Sequence, residues 1–167
     1  YLLDVNTISF SFPNSYDKNY ELIIDPATLI FASYTGSSAD NWGNSATFDN
    51  EGFLYGAGMT FGDGYPLTIG AYQSTWGGGG GFYVGDITLS KFTADGTSLV
   101  YSTYLGGNSE DQPYSLYVSP ENELVVFGST GSANFPVTAG AYDETFNGGP
   151  SITVDDVFAY NSGSDGV

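Results

Sequence analysis

Histidine, cysteine and arginine are missing from this 167-residue chain, and lysine occurs only at Lys18 and Lys91. Without cysteine there is no disulfide framework and no thiolate nucleophile or ligand; without histidine there is no imidazole to act as base or metal ligand near neutral pH. The absence of cysteine does not by itself decide the compartment. Serines abound, but a serine nucleophile needs a base, and neither lysine is placed to serve as one. Two cations against 19 acidic residues leave a net charge of −17. That balance repels phosphate backbones and anionic lipid, so nucleic acid and membrane surfaces are poor partners, whereas cation binding and solubility are favoured. Long apolar runs are missing too. Those at 22–24 and 29–32 are split by Asp25 and Pro26, far short of the ~20 residues a spanning helix requires. The chain opens at Tyr1 with neither Met nor a charged, apolar leader, which reads as a mature or internal stretch of a longer product.

What is present points to a packed, all-β protein. Apolar residues make up 41% and aromatics 17% of the chain, enough for a core rather than a disordered tail. No 3.6-residue period is sustained, and short runs of β-branched and aromatic residues are bounded by turn residues. Residues 7–12 alternate Ile8, Phe10 and Phe12 with Ser9 and Ser11, the pattern of a strand with one dry face. A polar turn at 14–19 and a second run at 21–24 follow, ended by Asp25 and Pro26. Residues 1–26 therefore read as the end of a preceding β domain and its connector.

The organising feature is a phrase written twice. Residues 99–107 spell LVYSTYLGG and residues 29–37 spell LIFASYTGS, an offset of 99 − 29 = 70. Without a gap, Ser45, Glu51, Leu54, Gly58, Thr60, Pro66, Thr68, Gly70, Ala71, Tyr72, Thr75 and Gly78 recur 70 positions on, at Ser115 through to Gly148. One supersecondary unit is repeated. The first copy predicts strands at 29–34, 45–49, 53–59 and 86–92, joined as a meander, with 99–104 opening the second copy in the same role as 29–34. Asp49, Asn50, Glu51 and Gly52 form a tight hairpin turn whose counterpart replaces Gly52 by Asn122, a residue that also tolerates positive φ. Ala94, Asp95, Gly96 and Thr97 form another. Between the third and fourth strands runs a long excursion, 61–82, in which Thr68 is placed to cap one short helical turn. Beyond Gly149 the period fails. Equating Asp165 with Asp86 gives an offset of 165 − 86 = 79 and places roughly nine extra residues within 151–163.

The phrase LVYSTYLGG, the acidic step Glu110 and Asp111, the run NFPVTAGAY at 134–142 and the glycine-rich segment before Asp86 together resemble the β-propeller repeat of large secreted bacterial proteins, the SBBP-type repeats. Ile23, Ile24, Asp25 and Pro26, directly before the first repeat, resemble the domain that precedes such propellers. The resemblance covers about residues 6–149. Two departures stand out: Lys91 and Phe92 have no visible partner in the second copy, and Thr35 stands where Leu105 does. The resemblance implies four-stranded antiparallel blades: repeat one at 27–98, with 29–34 as a closing outer strand, and a truncated repeat two at 99–167. Two blades cannot close a ring, so the rest of the polypeptide or another chain is expected to cover their faces. Related Bacteroidete proteins are cell-surface proteins, many of them gliding-motility associated and exported by type IX secretion.

Candidate sites follow from residue type and place. Asp40 and Asn41, with Glu110 and Asp111, lie at equivalent positions after the first strand of each copy, and such loops offer calcium carboxylate and carbonyl oxygens. They lack the alternating spacing of a dedicated calcium loop, and solvated turn carboxylates bonding their own backbone are the competing reading. Asp155 and Asp156 are a weaker pair. Trp42 and Tyr114 stand in loops opposite Gln112 and Asn44, so they break the repeat and are candidates to stack on a sugar ring or a peptide. Trp76 and Phe146 match across the repeat and read as packing residues. The Gly77 to Gly81 run has no strand-to-helix context and no lysine beside it, which excludes a phosphate cradle. No motif marks a carboxylate pair for glycoside hydrolysis. The function expected is a non-enzymatic extracellular propeller module for adhesion or protein contact, without a cofactor other than calcium. The alternatives are a carbohydrate-active propeller whose carboxylates lie in other blades, and a structural spacer or filament subunit.

Overall fold

A computed structural model describes residues 2–4, 7–9, 15–23, 29–79, 84–150, 152–154, 158–160 and 163–167. Phe10, Phe12, Ile24, Asp25, Pro26, Gly80, Gly81, Asp155 and Asp156 lie outside the described residues. The described chain is all-β. Strands β1 (Leu2–Asp4) and β2 (Thr7–Ser9) pair antiparallel. Strands β3 (Asn41–Phe48), β4 (Leu54–Thr60), β5 (Asp86–Phe92) and β6 (Leu99–Leu105) form an antiparallel sheet in sequence order. Strands β7 (Asp111–Val118) and β8 (Leu124–Thr130) pair next, then β9 (Ile152–Val154) with β10 (Phe158–Tyr160), while β11 (Asp165–Gly166) adds to β8. The result is one sheet of four strands and one of three, neither of them closed.

The 70-residue repeat is visible in the pairing. Both inner hairpins carry a bulge at the same place, between Gly43 and Ser45 in β3 and between Pro113 and Ser115 in β7. The turns match as well: Gly52 has φ 83° and Asn122 has φ 63°, and both close on the carbonyl three residues back, at Asp49 and Ser119. Thr60 pairs with Asp86, and Thr130, 70 residues later, pairs with Asp165. Gly128 exchanges both backbone hydrogen bonds with Val167, the place Thr88 takes against Gly58. The register thus puts Asp165 in the part of Asp86.

Three sequence expectations are corrected. Residues 29–34 form no strand. Leu29, Ile30 and Tyr34 are exposed, Tyr34 at 96%, whereas its counterpart Tyr104 in β6 is fully buried. The reason is a missing neighbour: β6 pairs with β5, and the stretch 70 residues before β5, 16–22, is an exposed turn and irregular chain. The first sheet instead takes its fourth strand from 99–105, across the boundary between the two repeats. The second unit holds three strands among the described residues rather than four. Thr68 also caps no helix, because its N–H and hydroxyl are committed to the backbone of Ser102 in β6.

The core lies between the sheets. Tyr55, Ala57, Ile87 and Leu89 on one face of the first sheet pack against Leu116, with Val118, Leu124 and Val126 beside it on the second. The opposite face of β5 and β6 is polar yet buried. Ser90 and Ser102 hydroxyls lie 3.2 Å apart, and the Tyr65 hydroxyl sits 2.9 Å from Ser90, so the excursion roofs this face with hydrogen-bonded hydroxyls rather than leaving them unsatisfied. Close approach fixes one residue type in each hairpin. A Cβ on Gly58 would collide with the carbonyl oxygen of Trp42, and one on Gly128 with that of Gln112. Gly58→Ala and Gly128→Ala are each expected to lower stability by about 1–3 kcal/mol through forced backbone shifts. Gly56→Ala, whose Cβ meets nothing within 4 Å, is the control and should be neutral or slightly stabilising. Urea denaturation midpoints at constant m-value check this.

Candidate functional site

The phrase LGG ends where the two sheets meet, and the most polar part of the interior is there. Asp111 heads β7, and its N–H donates to the Gly85 carbonyl at 2.8 Å, tying the second sheet to the first. Its side chain is fully buried. One carboxylate oxygen accepts from the Thr130 hydroxyl; the other accepts from Gly107 N–H at 2.8 Å and from the Ser132 hydroxyl at 2.9 Å. Ser132 in turn accepts from Ser109 N–H at 2.8 Å and donates its own N–H to Thr130 at 3.0 Å.

Asp86 heads β5 on the other side of the seam, also fully buried. Its Oδ2 accepts Gly77 N–H at 2.7 Å, while Oδ1 is buried with no hydrogen-bond partner among the described residues. The two carboxylates face each other across Gly106. A Cβ there would stand 2.7 Å from Asp111 Oδ2 and 2.7 Å from Asp86 Cγ, so only glycine fits between them. Burial raises the Asp86 carboxyl to about 6, and the negative charge of Asp111 adds to it; the Gly77 N–H offsets only part. Burial raises Asp111 as well, against its three donors, and it raises Glu110, which Asp111 repels. The second unit repeats the arrangement at one point: Asp165 accepts Asn147 N–H at 3.0 Å, as Asp86 accepts that of Gly77.

A different charge site closes the far end of the first sheet. Lys91 Nζ lies 3.2 Å from Asp49 and 4.5 and 4.7 Å from the ring centres of Phe53 and Tyr55. Asp49 is held below the usual carboxylate range: burial works against this, but Phe53 N–H, Lys91, the Tyr55 hydroxyl and Glu51 N–H outweigh it. Its repeat counterpart, Ser119, caps the same turn through its hydroxyl.

The residues singled out in the sequence divide as follows. Asp40 contributes its main-chain carbonyl, which accepts Phe61 N–H at 3.0 Å, and Glu110 does the same for Gly131 N–H at 2.6 Å. Asn41 bonds locally, to the Ala39 carbonyl at 3.0 Å and the Thr35 hydroxyl at 3.2 Å. Asp111 turns its lone pairs to protein donors. Among the described residues no group of three or more carboxylates is disposed to hold a metal ion. Trp42 is half exposed and meets Phe61 edge-on, ring centres 4.8 Å apart. Tyr114 is the bulged residue of β7, half exposed, with its hydroxyl 2.9 Å from that of Ser129. Trp76 is half-buried over Gly78, as Phe146 is over Gly148. Asp86 was visible in the sequence only as a strand marker; the signal for more was an acidic residue opening an otherwise apolar strand and recurring at Asp165.

No protein-family model, curated protein or solved structure matches the chain.

The raised Asp86 carboxyl sets a pH dependence. Its folded value lies above the ordinary 3.8, so its contribution is fully present below about pH 4 and is lost as pH rises through about 6. Moving one carboxyl that far is worth about 3 kcal/mol at roughly 1.4 kcal/mol per pH unit. Asp111 and Glu110 act in the same direction. Asp95, held at about 2 by the Thr93 hydroxyl and by Thr97, acts oppositely, and only below pH 4. Urea unfolding from pH 4 to 7 should show stability falling as pH rises, and Asp86→Asn should flatten most of that fall. Equal slopes in the two proteins would contradict the assignment.

Proposed function

We propose that the chain is a non-enzymatic extracellular binding module: two consecutive propeller blades, the first made of β3 to β6 and the second opening with β7 and β8, following the end of another β domain at 1–26. It belongs, on this reading, to a large bacterial cell-surface protein of the kind its repeat resembles, exported by the type IX route and engaged in adhesion or in contacts that serve gliding motility. The observation that carries the reading is the placement of Trp42 and Tyr114. Each is half exposed on an edge strand, β3 or β7, and these two strands pack beside each other. Each aromatic is also held from behind, Trp42 by Phe61 and Tyr114 by Ser129. Fixed aromatic faces lose little entropy on binding and suit the flat face of a sugar or an extended peptide. The anionic surroundings favour neutral or cationic ligands over acidic ones.

The buried carboxylates support a structural rather than a chemical role. Asp111 is saturated by donors from Gly107, Thr130 and Ser132 and so fastens the seam, whereas Asp86 accepts only Gly77 N–H, within its own unit, and faces Asp111 as a second buried carboxylate. Glycan and peptide arrays test the proposal. Binding by the intact chain should fall about 5- to 30-fold on Trp42→Ala or Tyr114→Ala, with the melting temperature unchanged. Full binding by both variants would overturn it. Repeating the assay with calcium and with a chelator separates any calcium contribution from Asp40, Asn41, Glu110 and Asp111: equal signals would remove it.

A further inference from the structure

The chain itself shows how it holds a cation. Lys91 Nζ stands over two rings at once, 4.5 Å from the centre of Phe53 and 4.7 Å from that of Tyr55, and 3.2 Å from the Asp49 carboxylate. The ring faces attract the ammonium and the carboxylate accepts its protons. Cations of this kind are scarce in the chain, which has two lysines and neither arginine nor histidine against 19 acidic residues.

A second corner of two rings and a carboxylate lies at the other end of the same hairpin, where the sheets meet. Trp42 in β3 pairs with Met59 in β4. Directly opposed residues share a face, as do alternate residues of one strand, so Trp42 stands on the face that Tyr55 and Ala57 turn to the second sheet. Its ring meets that of Phe61 at 65°, centres 4.8 Å apart, so the two rings make a corner rather than a stack. Half of Trp42 stays exposed. The Asp40 carbonyl accepts Phe61 N–H at 3.0 Å, which carries the ladder one pair beyond Asn41 and Thr60 and sets the exposed Asp40 opposite Phe61.

The second unit brings another carboxylate to this corner. The Phe61 ring lies against Gly85, where a Cβ would stand 3.2 Å from it, and the Gly85 carbonyl holds Asp111 N–H at 2.8 Å. Glu110, the neighbour of Asp111 in the chain, is half-buried. Burial and the charge of Asp111 both raise its carboxyl, and no donor offsets them among the described residues. A desolvated carboxylate in that position gains from any cation that reaches it. The other carboxylates nearby are engaged: Asp111 by Gly107, Thr130 and Ser132, and Asp63 by Gly64 N–H and the Tyr104 hydroxyl.

We propose that this corner takes an arginine or lysine side chain presented by a partner polypeptide, the cation lying over the Trp42 and Phe61 rings with its N–H groups turned to Glu110 and Asp40. This deepens the ligand-binding reading of Trp42 and rests on it. A sugar ring needs one flat face, which Trp42 alone supplies; crossed rings beside carboxylates match a charge that carries its own donors. Arginine suits the corner best, because its planar guanidinium stacks on one ring while donating sideways to a carboxylate. The net charge of −17 steers a basic segment to the site and makes the contact sensitive to salt.

The chain holds two tryptophans, so fluorescence of a full chain carrying Trp76→Phe reports on Trp42. Blocked peptides Gly-Gly-Arg-Gly-Gly, the lysine version and the citrulline version, which keeps the shape of arginine without its charge, are titrated into it. The two basic peptides should bind about 10-fold more tightly than the citrulline peptide, and raising sodium chloride from about 0.05 to about 0.5 M should weaken them several-fold. Trp42→Ala, read by calorimetry, and Glu110→Gln should each weaken the arginine peptide by about 3- to 30-fold. Glu110→Gln removes a repulsion from Asp111, so its melting temperature should not fall. Equal binding of the arginine and citrulline peptides, or an unchanged affinity in Glu110→Gln, would overturn the proposal. Glycan binding lost on Trp42→Ala with the basic peptides unbound would overturn it too, while leaving the ligand-binding reading in place. Basic-peptide and glycan binding that both survive Trp42→Ala would remove the two together.

Discussion

A sheet with an apolar face cannot bury that face by itself, and the rest of this structure follows from that constraint. Tyr55, Ala57, Ile87 and Leu89 need the face that carries Leu116 and Val126, and the second sheet in turn presents Val125 and Phe127 to solvent. Stacking covers one face of each unit and exposes the next, so stability comes from neighbours rather than from any unit alone. The polar excursion solves the remaining problem, roofing the outer strands with hydroxyls that Ser90, Ser102 and Thr68 share. Its bonds to β6 also block an edge that would otherwise template aggregation.

Where the sheets meet, apolar packing gives way to hydrogen bonding. Asp111 gathers three donors and one acceptor from three segments: the chain just after β6, the end of β8 with the residues that follow it, and the chain just before β5. A carboxylate that deep is costly unless its lone pairs are filled, and here they are. Asp86 is less well served, with one oxygen lacking a partner among the described residues, and its raised affinity for a proton is the physical result. The seam joins the units firmly but carries a charge conflict that acidity relieves. Lys91 shows the opposite solution at the far end, a cation held by Asp49 and two aromatic rings.

Much of the architecture was legible in the residues. The constant 70-residue offset, the turn residues Gly52 and Asn122, and the short β-branched and aromatic runs bounded by turn residues are local signals, and local signals survive into structure. Asp165 was placed by keeping a strand's apolar pattern in step, and the pairing with Thr130 agrees. Residues 29–34 were read as a strand because the phrase is right, but a strand also needs a partner, and sequence identity carries no information about whether one is present. Thr68 was read as a cap for a related reason: its hydroxyl chose a bond 34 residues away over a local one. The Asp86 and Asp111 pair escaped notice because the two residues are separated by 25 positions, and only the fold brings them to the two sides of Gly106. The aromatics that break the repeat, Trp42 and Tyr114, were singled out because a departure from periodicity is itself a local signal.

The position of β6 has a consequence for how such a chain comes together. The sheet of one repeat is finished by the opening words of the next, so the 70-residue sequence period and the structural unit are out of phase by one strand. The two repeats are interlocked, the first leaving open a place that the opening strand of the second fills. Folding along a growing chain then proceeds one link behind synthesis, and unfolding of any link strips a strand from its predecessor. The phase shift thus adds a shared strand to the coupling that packing between the two sheets already supplies.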